Sequence, residues 1–261
     1  MPEINLLSKY PRAKRNLIAR KQGQSENRII ARRFGREYFD GTRDQGYGGY
    51  RYDGRWIPIA RDIAEHFNLK RGDRVLDIGC AKGFLLRDLM TVVPGLDAWG
   101  LEISQYAIEN CHPDARGRIV GGTAQALPFA NDSFAAALCI NAVHNLAYDA
   151  CVEAVQEIER VAPGRGYIQV DAYRNDDERD AFLDWVLTAE TFGKPDMWHR
   201  LFERAGYSGD YYWTILEVDP EWTVRDAAPA ARTIRSPDDE EDLCCARRRG
   251  IFRTPHVEIP A

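Results

Sequence analysis

No apolar run in the 261 residues approaches the length that would cross a bilayer, so no membrane-spanning helix is expected. Paired CxxC ligands are missing too. The six cysteines, Cys80, Cys111, Cys139, Cys151, Cys244 and Cys245, fall without framework spacing, which signals neither a zinc site nor a disulfide scaffold and leaves reduced thiols as the expectation. No metal is expected. Met1-Pro2-Glu3 leads into a basic stretch that lacks the apolar core and small-residue cleavage site of a secretory signal, so the expected compartment is the cytoplasm. An excess of positive charge is absent as well. The 35 Lys and Arg stand against 40 Asp and Glu, a formal charge of −5 that argues against nucleic acid as a general partner. No internal repeat is visible.

What is present is the composition of a water-soluble globular protein, 44% hydrophobic and 29% charged, at a length that suits one α/β core with appendages. Residues 1–56 are expected to form a cationic extension and a candidate lid, 57–220 the core, and 221–261 an extended or disordered tail. Within that tail Leu243 to Ala246 is the one stretch suited to adding an edge strand. In the extension Lys9, Arg12, Lys14, Arg15, Arg20, Lys21, Arg28, Arg32, Arg33 and Arg36 surround Ile18, Ile29 and Ile30 as on an amphipathic helix. Two readings stay open. The net acidity favours a solvated arm or a helix packed beside the core over a surface for RNA or membrane.

The core alternates. Ile59, Ile63 and Phe67 recur at helical spacing; Arg74 to Ile78 reads as a strand, Gly79 to Gly83 as a tight turn, and Phe84 to Met90 as a helix that stops before Pro94-Gly95. Strands follow near Ala98 to Ile103, Arg118 to Gly121, Phe134 to Asn141, Tyr167 to Asp171 and Tyr211 to Val218. Helices are expected at Ser104 to Asn110, Asp149 to Val161, Asp177 to Thr188 and Asp196 to Ala205. Such alternation predicts a doubly wound, mostly parallel sheet with helices on both faces.

The turn Asp77-Ile78-Gly79-Cys80-Ala81-Lys82-Gly83 places small residues where strand meets helix, so a ligand can approach the backbone there. Glu102 closes the second strand after Trp99-Gly100-Leu101, where its carboxylate can accept from both hydroxyls of a ribose. A dinucleotide turn spaced G-x-G-x-x-G from Gly79 would require glycines at 81 and 84, and the chain has Ala81 and Phe84. The run Asp77, Gly79, Ala81, Gly83 instead resembles the first motif of class I S-adenosylmethionine-dependent methyltransferases. Gly122 to Phe129, Asp132-Ser133-Phe134, Ile140 to Leu146 and Ile158 to Val161 are similar to later motifs of that family, and Leu201 to Tyr207 to the helix before its sixth strand. The resemblance covers Val75 to Val218, without an evident seventh strand. Ala81 replaces a usual glycine, which requires its φ to remain negative.

The resemblance implies a Rossmann-like fold and S-adenosyl-L-methionine as cofactor, held by Asp77, Gly79, Cys80, Ala81, Gly83, Glu102, Ile103, Thr123, Ala124, Gln125 and Asn141. Where the family usually has an acidic residue for the adenine amine this chain has Thr123, so adenine contacts fall to backbone, Gln125 or water. The implied reaction is methyl transfer to a small polar molecule, in which alignment matters most and a base is needed only for a protonated nucleophile. His144, after the fourth strand, is the candidate base, with packing on the cofactor or capping of the next helix as the alternative. Tyr38 to Trp56, rich in Gly, Tyr and Arg, is expected to be a lid loop or a fixed cover. From it Tyr38, Tyr47, Tyr50, Arg51, Tyr52 and Arg55, joined by Asp171 and Tyr173 from the fifth strand, are the candidate acceptor contacts. The chain is also similar to uncharacterised methyltransferases that occur with glycan-building enzymes, which suggests a sugar-like acceptor. An RNA methyltransferase and a non-catalytic cofactor-binding regulator are the rival readings.

Overall fold

The structure, a computed structural model, describes residues 1–11 and 15–216. In chain order its elements are α1 (Leu17–Lys21), α2 (Gln24–Ala31), α3 (Arg36–Asp40), α4 (Ile57–His66), β1 (Arg74–Ile78), α5 (Phe84–Val92), β2 (Asp97–Glu102), α6 (Gln105–Glu109) and β3 (Ile119–Gly121). There follow β4 (Ala136–Ile140), α7 (Tyr148–Val161), β5 (Gly166–Ala172), α8 (Asp176–Trp185), α9 (Pro195–Ala205) and β6 (Asp210–Ile215). The sheet runs β3-β2-β1-β4-β5-β6 with every neighbouring pair parallel, the doubly wound Rossmann-like arrangement expected from the alternation.

Side chains alternate across this sheet because successive Cβ atoms of a strand point to opposite faces. Leu76 and Ile78 of β1 and Ala137 and Cys139 of β4 pack with Val152, Val155 and Ile158 of α7 and with Trp198, Leu201 and Phe202 of α9. Val75, Ala136 and Leu138 face the other way, onto Ile59 and Ile63 of α4 and Leu85, Leu86 and Leu89 of α5. Burial on both faces explains why these strands read as nearly continuous apolar runs. The order reverses between β1 and β4, so the crevice at their carboxyl ends is open to a ligand.

The extension is not a solvated arm. Glu3 bridges Tyr211 in parallel, and Ile4 N–H donates to the Tyr211 carbonyl at 2.9 Å, so the first residues extend the sheet beyond β6. Gln24 donates to the carbonyls of Leu183 and Asp184, Arg28 to those of Leu183 and Val186, and Arg20 to that of Trp185. These side chains satisfy carbonyls at the end of α8, which stops at Trp185 rather than at Thr188 as its periodicity suggests. The lysine and arginine at 14 and 12 lie outside the described residues, as do the expected tail and its Leu243 to Ala246 strand.

Two backbone expectations need correction. Ala81 has φ +50°, in the left-handed region, although its exchange for glycine called for a negative angle. The position keeps its methyl because that group packs in a cluster with Phe39 and Ala107. Small residues at 79 and 83 answer to protein neighbours rather than to a ligand alone. A Cβ on Gly79 would lie 2.5 Å from the Ala142 Cβ, and one on Gly83 would lie 2.7 Å from the Ala115 Cβ.

Candidate active site

A cavity opens at the carboxyl ends of β1, β2, β3 and β4. Its walls are Ile78, Gly79 and Ala81 at the end of β1, Leu101, Glu102 and Ile103 at the end of β2, Gly122, Thr123 and Ala124 after β3, and Ile140, Asn141 and Ala142 at the end of β4. Glu102 is held by two backbone donors: Oε2 accepts from Ala81 N–H at 2.7 Å and Oε1 from Ser104 N–H at 2.8 Å. Burial pushes its carboxyl above the ordinary range, and those backbone donors pull it back part of the way. A carboxylate has about four acceptor positions, so both oxygens retain capacity toward the cavity.

Asp77 lies beside this wall rather than in it. Burial first, and then the Glu102 charge, raise its carboxyl to about 7. Cys80 turns its sulfur toward Gly100, where an added Cβ would stand 2.4 Å from it. Gly83 serves the turn and its packing, and Gln125 reaches away to Glu153 at 2.7 Å. Among the eleven positions expected to bind cofactor, then, Gly79, Ala81, Glu102, Ile103, Thr123, Ala124 and Asn141 line the cavity and these four do not.

Sequence reasoning missed other wall residues. Phe34 and Phe39 come from the extension, and Asn145 and Leu146 from the 3₁₀ turn at Val143–Asn145 and its cap. The Asn145 Oδ1 is buried without a hydrogen-bond partner, an acceptor that calls for a donor from a ligand. Its i+4 spacing from Asn141, which has φ +53° at the end of β4, was the available signal. Together with the Glu102 carboxylate and the bare backbone at Gly79, this orphaned acceptor fits a nucleoside that carries ribose hydroxyls and amine donors.

The cover over this cavity is part helix, because Tyr38 to Asp40 belong to α3 rather than to a loop. Lys82, itself buried, fastens it from below, with Nζ at 2.6 Å from Asp40 Oδ2 and 3.2 Å from the Tyr50 carbonyl. Tyr106 donates to the same Asp40 oxygen at 2.7 Å. Burial alone would raise the Asp40 carboxyl, but the hydrogen bonds from Lys82 and Tyr106 outweigh it and hold it below its usual value. Tyr50 stacks on Phe84 with ring centres 4.7 Å apart, and Tyr52 donates to Asp88 at 2.6 Å. These two tyrosines therefore anchor the cover instead of facing an acceptor. Arg55 forms a forked pair with Asp53 on the surface, Arg51 is exposed, and Tyr173 is buried against Phe182.

Tyr38, Tyr47 and Asn141 are shared with a second cavity, whose other walls include His144, Asp171, Arg15, Arg20, Arg43, Phe182, Trp185 and Thr188. His144 is buried, and its Nδ1 accepts from the Asp171 backbone N–H at 3.3 Å while lying 3.7 Å from Asp171 Oδ2. Burial pushes the imidazole below its ordinary value, with the Asp171 charge opposing. The neutral ring that results carries its proton on Nε2, since Nδ1 is the acceptor.

The family model described as a methyltransferase domain matches residues 75–166. No curated protein matches the chain. Among solved structures, the putative methyltransferase complexed with the Haloferax volcanii Trm112 methyltransferase activator is 23% identical over 59% of this chain and 73% of that one, with TM-score 0.46. The YcgJ protein of Bacillus subtilis is 21% identical over 59% and 68%, with TM-score 0.45. CalS10, an amino pentose methyltransferase from Micromonospora echinaspora, is 26% identical over 42% and 48%, with TM-score 0.37. The matched segment begins in β1 and ends at the start of β5, so it holds the turn, Glu102 and Asn141 that wall the first cavity. The chain carries a methyltransferase domain and is an S-adenosylmethionine-dependent methyltransferase.

Proposed function

We propose that this enzyme methylates a small polar molecule held in the second cavity, with the cofactor in the first. The observation that carries this reading is the wall of Tyr38, Tyr47 and Asn141 common to both, which puts a largely apolar compartment in contact with a more polar one. When bound, the cofactor supplies an activated methyl: the carbon–sulfur bond breaks as the bond to the acceptor forms, and its electron pair stays on sulfur. Glu102 is positioned for the ribose, Asn145 Oδ1 for an amine donor, and the exposed side chain of Ile103 for a flat base. The chain's remaining task is to orient the acceptor, exclude water and take a proton.

His144 suits orientation better than proton abstraction. With Nδ1 accepting from backbone, its Nε2–H is a donor for an acceptor oxygen, and the Asp171 carboxylate on the same wall takes the proton. His144→Gln, which retains an amide donor, is expected to keep more turnover than His144→Ala, and neither should move the acidic limb of the kcat/KM profile. Loss of that limb in both variants would restore His144 as the base.

The cover closes the cofactor cavity from above. Amide exchange in residues 38–50 is expected to slow when cofactor or its demethylated product binds, and Asp40→Asn, by loosening Lys82, should diminish the difference. Exchange that is already slow and does not respond to ligand would make the segment a fixed roof.

The RNA reading loses weight because Arg20, Arg28 and Arg32 of the basic extension engage carbonyls of residues 183–189. A polar second compartment likewise favours an enzyme over a cofactor-binding regulator. The overall test is a screen for demethylated cofactor over nucleotide sugars, amino sugars and hydroxylated metabolites. Acceptor-dependent product supports the reading, and turnover with RNA alone would replace it.

A further inference from the structure

Phe34, Tyr38, Phe39 and Tyr47 reach the first cavity from ahead of β1, and among the described residues everything that the extension and cover contribute to its wall is aromatic. Phe39 and Tyr47 lie nearly parallel, at 17° with ring centres 5.8 Å apart, and Tyr38 stands across them at 83° and 67° with its centre 5.1 Å from each. Phe34 meets Tyr38 at 88° and 5.3 Å. Local backbone draws the two tyrosines together. Tyr47 N–H donates to the Tyr38 carbonyl at 2.8 Å, and a Cβ on Gly46 would lie 2.0 Å from that same oxygen, so glycine is what allows the approach. Arg43 Nη1 donates to the carbonyls of Tyr47 at 3.0 Å and Gly46 at 3.4 Å and steadies the turn.

A flat base stacks on one plane and gains little from a ring set across it. Rings at near right angles instead offer several negative faces to a rounded cation, the arrangement that holds alkylated ammonium ions. The cofactor carries such a cation, a sulfonium with three carbon substituents, and the methyl that it donates must cross the wall shared by the two cavities. Tyr38 and Tyr47 belong to that wall. Burial pushes the Tyr38 hydroxyl above its ordinary value, and Tyr38 pushes up that of Tyr47, so both phenols keep their protons at neutral pH.

We propose that Phe34, Tyr38, Phe39 and Tyr47 recognise the sulfonium of S-adenosylmethionine through their ring faces, with Tyr38 and Tyr47 beside the departing methyl. This rests on the cofactor lying in the first cavity and the acceptor in the second. Loss of the methyl leaves a neutral thioether, for which the ring faces have no comparable attraction. The rings therefore favour loaded cofactor over spent cofactor. Because the positive charge fades as the carbon–sulfur bond breaks, that preference acts on binding and discharge rather than on the chemical step.

The test is calorimetry on the full chain with three ligands: S-adenosylmethionine, its demethylated product, and sinefungin, which carries a protonated amine where the cofactor has its methylsulfonium. Tyr47 is 39% exposed, so Tyr47→Leu should fold, and Tyr38→Leu provides a second variant. Each is expected to weaken the two cationic ligands roughly 3- to 30-fold and the demethylated product less than about twofold. Tyr47→Phe, which keeps the ring, should retain the parent's ratio between cationic and neutral ligands. Equal weakening of all three ligands, or of none, overturns the proposal. So does sinefungin behaving like the demethylated product, since contact with the methyl rather than charge would then be responsible. Failure of the parent chain to bind any of the three would instead count against the cofactor lying in the first cavity, so the two failures are told apart.

Discussion

Glu102→Ala is expected to weaken S-adenosylmethionine binding by about 10- to 100-fold and to lower unfolding free energy by about 2 to 4 kcal/mol. The first effect follows from loss of a charged acceptor on the cavity wall. The second follows because the same carboxylate accepts from Ala81 N–H and Ser104 N–H, two buried backbone donors that alanine would leave unpaired. Ala81 holds a left-handed φ, so its turn has little tolerance for losing that support. Glu102→Gln retains one acceptor oxygen and should fall between alanine and the parent in both measurements. Calorimetry with cofactor and thermal unfolding of the ligand-free protein separate the effects. Unchanged affinity alongside reduced stability would make Glu102 a strut of the turn and not a ribose ligand.

Asp77→Asn is expected to raise stability above neutral pH and to flatten its dependence on pH. The folded-state carboxyl stands at about 7, against an ordinary value of 3.8 in the unfolded chain. Below pH 4 both states are protonated and Asp77 contributes no difference. As pH rises from 4 to 7 the unfolded chain ionises Asp77 while the folded chain resists, so stability falls, by up to about 4 kcal/mol, and levels off above 7. A cationic cofactor reverses that preference. Binding should therefore release protons between pH 5 and 7, measurable as a heat that differs between buffers of unlike ionisation enthalpy. Identical heats in both buffers, together with a parent-like stability profile in Asp77→Asn, would show that Asp77 is already ionised in the free protein.

The strand, turn and helix around Asp77 were legible because local signals agree there: a short, nearly continuous apolar run, glycines at the turn, then a helical run ended before Pro94. Glu102 was legible as the polar residue that closes a strand after Gly100 and Leu101. The glycine at 79 was legible only as small. Its nearest constraint is Ala142, far along the chain, which no local pattern reveals. The same holds for Phe34 and Phe39 on the wall of the first cavity, and for Arg20, Gln24 and Arg28, whose carbonyl partners lie beyond residue 182. Tyr50 and Tyr52 looked like ligand contacts by residue type, since an exposed binding tyrosine and one that fastens a cover share one composition. Expectations for residues 221–261 lie outside the described part of the chain.

The attachment of the extension to the end of α8 and to β6 has a kinetic consequence. Ile4, Arg20 and Arg28 are made early in synthesis, but their partners at Tyr211, Trp185 and Leu183 are made near the end of the described chain. Ordering these contacts means closing loops of more than 150 residues, so the sheet's local pairs can form before them. A growing chain would thus fasten the cover to Lys82, Phe84 and Tyr106 well before the extension docks on α8 and β6. The second cavity, whose walls join Arg15 and Arg20 of the extension to Trp185 and Thr214, is therefore completed only in that late docking.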